Sequence, residues 1–228
     1  MPLNKQRGNM YPWVTHTWNP IRGCKHDCVY CYVKALRDYD TTPRYVEKCL
    51  SDNLGEGKTI FVCSTGDMFG NWVPPAWIEA VLAYCHRFPH NVYLFQSKNP
   101  GRFKEFLNHF PMHTIFGTTI ETNRAIDNCA KLLGGEFKAP QPLMRARAMQ
   151  KLGRGYDKMI SIEPIMDFDL DRMIDWIHAI NPKFVSIGGD SKGHKLPEPS
   201  AEKVQRLIAG LGAIEVKLKS NLRRLGVW

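Results

Sequence analysis

No run of about 18 apolar residues occurs anywhere in the chain, so no membrane-spanning helix is expected. The opening stretch, Met1-Pro2-Leu3-Asn4-Lys5-Gln6-Arg7-Gly8-Asn9, has no apolar core, and no secretory signal is expected there. Acidic residues are in deficit: 22 Asp and Glu stand against 31 Lys and Arg, a formal charge of +9. A surplus of that sign favours polyanionic partners through long-range attraction. Much of it lies in two clusters, Arg145, Arg147, Lys151, Arg154 and Lys158, then Lys217, Lys219, Arg223 and Arg224. The plainer interpretation of both is a solvated basic surface, or a face for an acidic electron donor. No repeat other than a strand–helix rhythm is present, and no composition shift marks a domain boundary.

The seven cysteines are an odd number, which argues against a full set of disulfides. Cys49, Cys63, Cys85 and Cys129 are scattered among apolar neighbours, the pattern of buried free thiols in a reducing cytosol. A cytoplasmic protein is expected. The other three lie within eight residues, as Cys24-x3-Cys28-x2-Cys31. Thiolates are soft ligands suited to iron–sulfur clusters or zinc. Structural zinc usually draws on two separated pairs of ligands, and no second Cys-x2-Cys pair exists. A zinc site would have to recruit His26, which falls between two of the cysteines. Three thiolates on one short loop instead suit one face of a cuboidal cluster, with the fourth metal corner left for another ligand.

The rest of the chain alternates short apolar runs with amphipathic stretches. Residues 11–18 read as a first strand entering the cysteine loop, and residues 32–39 as a helix after it. Strands are expected at 59–63, 92–96, 114–120, 158–163, 184–187 and 214–218. The stretches between them carry helical spacing: Ile78, Val81, Leu82 and Cys85; Phe103, Phe106, Leu107 and Phe110; Ile126, Cys129, Ala130 and Leu133; Leu170, Met173, Ile174 and Ile177; Val204, Leu207, Ile208 and Leu211. Gly134-Gly135 stops the third of these, and a basic helix is expected over about 143–152. Strands joined by crossover helices imply a parallel sheet, which right-handed crossovers curl toward a barrel. The expectation is α/β: a partial (β/α)6 TIM-like barrel, in a single domain over 13–221. Residues 1–12 read as a loose arm and 222–228 as a tail.

The cysteine spacing, with Tyr30 before the third cysteine, resembles the signature of the radical S-adenosylmethionine superfamily. Thr17-Trp18-Asn19-Pro20, Gly23-Cys24, Ser64-Thr65-Gly66-Asp67-Met68-Phe69 and Ser161-Ile162-Glu163-Pro164-Ile165-Met166 narrow the likeness to a phage-associated and prokaryotic branch. The resemblance covers most of the chain and carries implications for chemistry and site. Cys24, Cys28 and Cys31 would hold a 4Fe–4S cluster, whose fourth iron takes S-adenosylmethionine. Reductive cleavage then gives a 5′-deoxyadenosyl radical that abstracts hydrogen from a substrate. The open (β/α)6 barrel is implied as well.

In parallel barrels the site gathers where strands end and loops converge. By position, Ser64, Thr65, Gly66 and Asp67 correspond to the superfamily's grip on the cofactor's amino group, although the wording differs from its Gly-Gly-Glu-like segment. Asp67, or the backbone at Ser64–Thr65, is expected to accept the ammonium; an N-capping turn is the bland role. Thr119 or Glu121 would hold the ribose, and the main chain of Tyr30 and the Gly188-Gly189 pair would meet adenine. Glu163, in an apolar strand, needs a partner: the cofactor, the substrate, or Arg145. Lys98, Arg145, Lys217 and Lys219 are candidates to face the substrate. Cys63 reads as a small buried hydrophobe, with hydrogen donation to a substrate radical as the alternative. The substrate expected is a nucleic-acid base, flipped out or single-stranded, for modification or repair. The alternatives are a peptide, a small metabolite, or a non-enzymatic metal-binding module. The reductant would be a protein such as flavodoxin or ferredoxin.

Overall fold

A computed structural model describes residues 3–6, 10–35, 40–125 and 137–227. The chain forms two compact units, Met1–His26 with Val33–Gly117, and Asp27–Tyr32 with Thr118–Trp228. The class is α/β with mostly parallel strands, as the alternation requires.

The first unit contains β1 (Asn4–Lys5), β2 (His16–Trp18), β3 (Ile21–Arg22), β4 (Arg44–Tyr45), β5 (Thr59–Val62), α1 (Pro75–His86), β6 (Val92–Gln96) and most of β7 (Thr114–Thr119). Strands β2, β5, β6 and β7 run parallel in that order. β1 pairs antiparallel with β2, so part of the expected loose arm is an edge strand. Residues 11–14 form a turn, closed by the Val14 N–H on the Tyr11 carbonyl, and the first parallel strand is shorter than expected. Pro75 opens α1, where its missing N–H costs nothing. Ile78, Val81, Leu82 and Cys85 are buried along one face, as their spacing predicts.

The segment after β6 departs from expectation. Pro100–His109 is a 3₁₀ helix, not an α-helix. Residues three apart eclipse in that geometry, so Pro100, Phe103 and Phe106 line the buried face while Leu107 is only half-buried. Around this segment Phe69 meets Phe95 and Phe103 edge-on, as Phe110 meets Phe95 and Phe116 and Phe103 meets Phe116, an arrangement aromatic rings prefer to face-to-face stacking, while Phe69 and Phe110 stack. After the cysteine loop, Tyr32–Ala35 is likewise 3₁₀.

The second unit contains β8 (Asp157–Ile162), β9 (Phe184–Ile187) and β10 (Glu215–Leu218), parallel in that order. Helices α2 (Pro142–Lys151), α3 (Leu170–Ile180) and α4 (Ala201–Gly210) belong to it. Every residue of β9 is buried, as parallel strands covered on both faces are. Asn181 ends α3 in the left-handed region, and the Ser200 hydroxyl caps α4 by accepting from the Lys203 N–H. The expected tail is in part structural: Ser220–Leu225 is a 3₁₀ helix with Leu222 fully buried, and Val227 is buried too. The helix expected around Ile126, Cys129, Ala130 and Leu133, its Gly134-Gly135 stop, and residues 36–39 lie outside the described residues.

The first basic cluster divides. Arg147, Lys151 and Arg154 are exposed, whereas Arg145 and Lys158 are buried. The Lys158 ammonium donates to the Ile180 carbonyl. No helix among the described residues is long and apolar enough to cross a membrane.

Candidate functional site

In the first unit the entry to the cysteine loop is shaped by two glycines. Gly23 has φ +83°, and a β-carbon there would stand 2.2 Å from the Thr42 carbonyl oxygen. Gly23 pairs with Gly66, where a β-carbon would meet the Gly23 carbonyl at 2.8 Å. Only glycine at both positions lets the loop lie against the segment that follows β5. Cys63, just before that segment, is buried at φ 58°, a conformation unusual for a residue with a side chain. Burial pushes its thiol far up, the state of an inert hydrophobe and not of a nucleophile.

Asn19 organises Ser64 and Thr65. Its amide oxygen accepts from the Ser64 hydroxyl at 3.1 Å, the Thr65 N–H at 3.0 Å and the Thr65 hydroxyl at 3.2 Å. Asp67 is buried and richly bonded. One oxygen accepts from Ser97 Oγ at 2.7 Å and the Phe69 N–H at 3.0 Å; the other meets His26 Nε2 at 2.8 Å and the Lys98 N–H at 2.9 Å. A carboxylate offers about four lone-pair sites, and these bonds use them. Burial pushes the Asp67 carboxyl up, but the bonds from His26, Ser97 and Lys98 outweigh it and hold the group below the usual carboxylate range. Lys98 is half-buried, and its backbone is what meets Asp67.

In the second unit Tyr30 and Cys28 pack with Met166 and Leu196, and Val29, Cys31 and Phe137 lie against them. The Tyr30 hydroxyl donates to Glu121, just after β7. Arg145 Nη1 reaches the two Glu121 oxygens at 3.1 Å and 2.9 Å and the Thr119 carbonyl at 2.5 Å. Arg145 and Glu121 are both wholly buried. Burial pushes the Tyr30 phenol well up, and Glu121 and Cys28 push it further. Arg145 therefore partners Glu121, not Glu163, and its wholly buried guanidinium is not a surface for substrate. Its Nε and Nη2 find no hydrogen-bond acceptor among the described residues.

The ends of β8, β9 and β10 bring Glu163, Gly188 and Lys219 side by side, because Ile162, Ile187 and Leu218 share a register. The Lys219 ammonium donates to both Glu163 oxygens at 2.8 Å. Burial pushes the Glu163 carboxyl up and Lys219 partly offsets it, leaving it above the usual value. Gly188 makes room for that carboxyl. The Asn221 side chain holds Gly189 at both its N–H, 3.1 Å, and its carbonyl, 2.8 Å. Lys217 does not join this group. It pairs with Glu215 at 2.5 Å, and its ammonium lies over Phe184, at the other end of β9 from Gly188.

None of Cys24, Cys28 and Cys31 is in a disulfide; Cys28 is buried and the others half-buried. Cys24 lies in the first unit, Cys28 and Cys31 in the second. Among the described residues no three His, Cys, Asp or Glu side chains converge as ligands of a single metal ion would. A cuboidal cluster, which gives each thiolate its own iron, does not require that convergence. Three soft donors within one short stretch of sequence fit such a cluster in kind. His26, the additional zinc ligand considered above, has Nε2 engaged by Asp67.

Asn19 and the Tyr30–Glu121–Arg145 and Lys219–Glu163 partnerships were not legible in the sequence. Asn19 sat within a quoted motif, but nothing there signals three hydrogen bonds to residues over forty positions away.

Among solved structures the chain is similar to a spore photoproduct lyase variant, with TM-score 0.61 and 13% identity over 90% of this chain and 64% of that one. Another variant of that lyase, with bound AdoMet and dinucleoside spore photoproduct, gives TM-score 0.59 and 13% identity over 92% and 64%. Streptococcus suis SuiB bound to its precursor peptide SuiA gives TM-score 0.60 and 12% identity over 89% and 48%. The chain thus spans less than two thirds of the length of these proteins. At such identities the likeness speaks for the fold, and the α/β class expected from the sequence is the one they share. No curated protein matches the sequence. The model of one family, described as "Protein of unknown function (DUF5131)", matches residues 9–198, and the chain belongs to that family.

Proposed function

We propose that the chain is a radical S-adenosylmethionine enzyme, with a 4Fe–4S cluster held by Cys24, Cys28 and Cys31 and a nucleic-acid base as substrate. The observation that carries this reading is the spacing Cys24-x3-Cys28-x2-Cys31, in a fold shared with structures that include AdoMet complexes. Bound there, the cluster would supply the electron that cleaves S-adenosylmethionine to methionine and a 5′-deoxyadenosyl radical, the source of hydrogen abstraction.

The chain's own residues divide the remaining work. Asp67 is occupied by four donors, so the cofactor's ammonium falls to backbone carbonyls around Ser64 and Thr65, which Asn19 holds in place. Glu121 is occupied by Tyr30 and Arg145, so the ribose would be met at Thr119, beside the end of β7. Gly188, held by its backbone bonds with Ile162 and Ile165, and Gly189, held by Asn221, offer a backbone platform for adenine. Lys219 keeps Glu163 at the strand ends, where an anionic substrate group would meet the ammonium. Lys98 would bind a phosphate without reading sequence.

The net charge of +9 favours the nucleic acid. One solved structure of similar fold holds a dinucleoside photoproduct and another a precursor peptide, so a peptide substrate is the second reading. Anaerobic reconstitution should yield a brown protein with iron and sulfide in the 4Fe–4S ratio. Dithionite and S-adenosylmethionine should then release 5′-deoxyadenosine, and Cys28→Ala should abolish it. Zinc without colour would overturn the reading. Binding to DNA or RNA should weaken steeply with salt, by a log–log slope of about −0.9 per phosphate engaged on a duplex or about −0.7 on a single strand. Salt-insensitive or absent binding would favour the peptide.

A further inference from the structure

Each gap between the cysteines of the motif contains a side chain bonded to a buried carboxylate. His26, between Cys24 and Cys28, meets Asp67 at 2.8 Å. Tyr30, between Cys28 and Cys31, donates to Glu121. Each carboxylate stands shortly after a parallel strand, Asp67 after β5 and Glu121 after β7. Each is itself fixed by other groups, Asp67 by Ser97 and backbone N–H groups, Glu121 by Arg145. Cys28, flanked by both spacers, is the cysteine of the three that is buried.

We propose that His26 and Tyr30 are positioning residues that clamp the cysteine loop, each through its own carboxylate, before any cluster enters. Asp67 and Glu121 then serve the loop and not the sulfonium cofactor. The proposal rests on reading this loop as the cluster-binding segment. Its physical basis is preorganisation. A short loop with three thiolates loses conformational freedom when it closes on a cluster, and a loop already held loses less. The two clamps differ in kind. His26 meets an ionised carboxylate through Nε2, which leaves Nδ1 buried with no hydrogen-bond partner among the described residues. Tyr30 meets a carboxylate already neutralised by Arg145. Neither bond could be supplied by Phe or Leu, although both would fill the same apolar surroundings. A purely space-filling role would therefore survive those substitutions.

The test reads the metal-free full-length protein, kept reduced and anaerobic. Iodoacetamide is added for timed intervals, and labelled cysteines are located by mass spectrometry. Wild type should alkylate at Cys24 and Cys31 well before Cys28. In Tyr30→Phe, Cys28 and Cys31 should react about tenfold faster, with Cys63 and Cys85 as protected as before. In His26→Leu, Cys24 and Cys28 should speed up, and His26→Gln, whose amide can still donate to Asp67, should restore the slow rate. Unchanged Cys28 labelling in both Tyr30→Phe and His26→Leu overturns the proposal. So does a rise that extends to Cys63 and Cys85, which would mark general loosening. Failure of wild type to take up iron would sink the cluster reading and leave the labelling result to stand by itself.

Discussion

A β-carbon built on Gly188 would stand 2.8 Å from the carboxyl carbon of Glu163. The two residues follow neighbouring parallel strands, and they fit because Gly188 has no side chain. Its backbone is also fixed: the Gly188 N–H donates to Ile162 at 3.0 Å, and its carbonyl accepts from Ile165 at 2.8 Å. Gly188→Ala must therefore push the carboxyl off Lys219. Overpacking of this kind typically costs about 1–3 kcal/mol, and urea denaturation should show a loss in that range. A variant as stable as wild type would show that the strand ends can give way.

Lys219 and Glu163 form a pair that is mostly out of water. Removing one partner of a buried pair costs about 3–5 kcal/mol, so Lys219→Ala should be among the more damaging single changes in the second unit. Glu163 also makes stability depend on pH. Its folded carboxyl takes up a proton at higher pH than the unfolded one, because burial raises it. The folded state then binds more protons in that window, and stability falls as pH rises through it. Unfolding midpoints measured from about pH 4 to about pH 8 should drop less in Glu163→Gln than in wild type.

Asp67 behaves in the opposite sense. Its folded carboxyl is held below the ordinary value, so its contribution is present above the unfolded value and is lost as pH falls through the folded one. Asp67→Asn replaces an acceptor of four hydrogen bonds with a group that can accept at one atom only. A loss of about 3–5 kcal/mol is expected at neutral pH. The gap between variant and wild type should narrow on acidification, which denaturation at stepped low pH will show. A constant gap would mean that the charge of Asp67 is not what stabilises.

Leu222 is fully buried in the C-terminal 3₁₀ helix. Leu222→Ala should cost about 2–5 kcal/mol, the range for large-to-small changes in a packed core. Arg224 pairs with Glu198, and Asn221 holds Gly189 in the same region. The variant should therefore also speed proteolysis of the 188–198 loop, detectable by timed digestion. Wild-type stability would mean that the segment is a tail after all.

Much of the fold was legible in the sequence. Side chains of period 3.6 and short apolar runs name helices and parallel strands from local chemistry alone, and α1 follows that pattern residue by residue. The ends of those runs marked Ser64 to Asp67, Glu121, Glu163 and Gly188 as candidates, and the fold places Glu163 and Gly188 together at neighbouring strand ends. The Phe103–Phe106 segment escaped because a spacing of three suits a 3₁₀ helix as well as an α-helix, and only packing against Phe69 and Phe116 chose between them.

The sequence by itself determined that three soft donors, Cys24, Cys28 and Cys31, fall within eight residues, since that spacing owes nothing to distant residues. Partnership belonged to the tertiary structure. On paper Arg145 was the one cation offered to Glu163, and strand register gave it Lys219 instead. Arg145, equally basic in the sequence, was carried by α2 to Glu121 and taken out of water. A charge in a sequence states only that a counter-charge or solvent is needed; the fold decides which one is within about 3 Å.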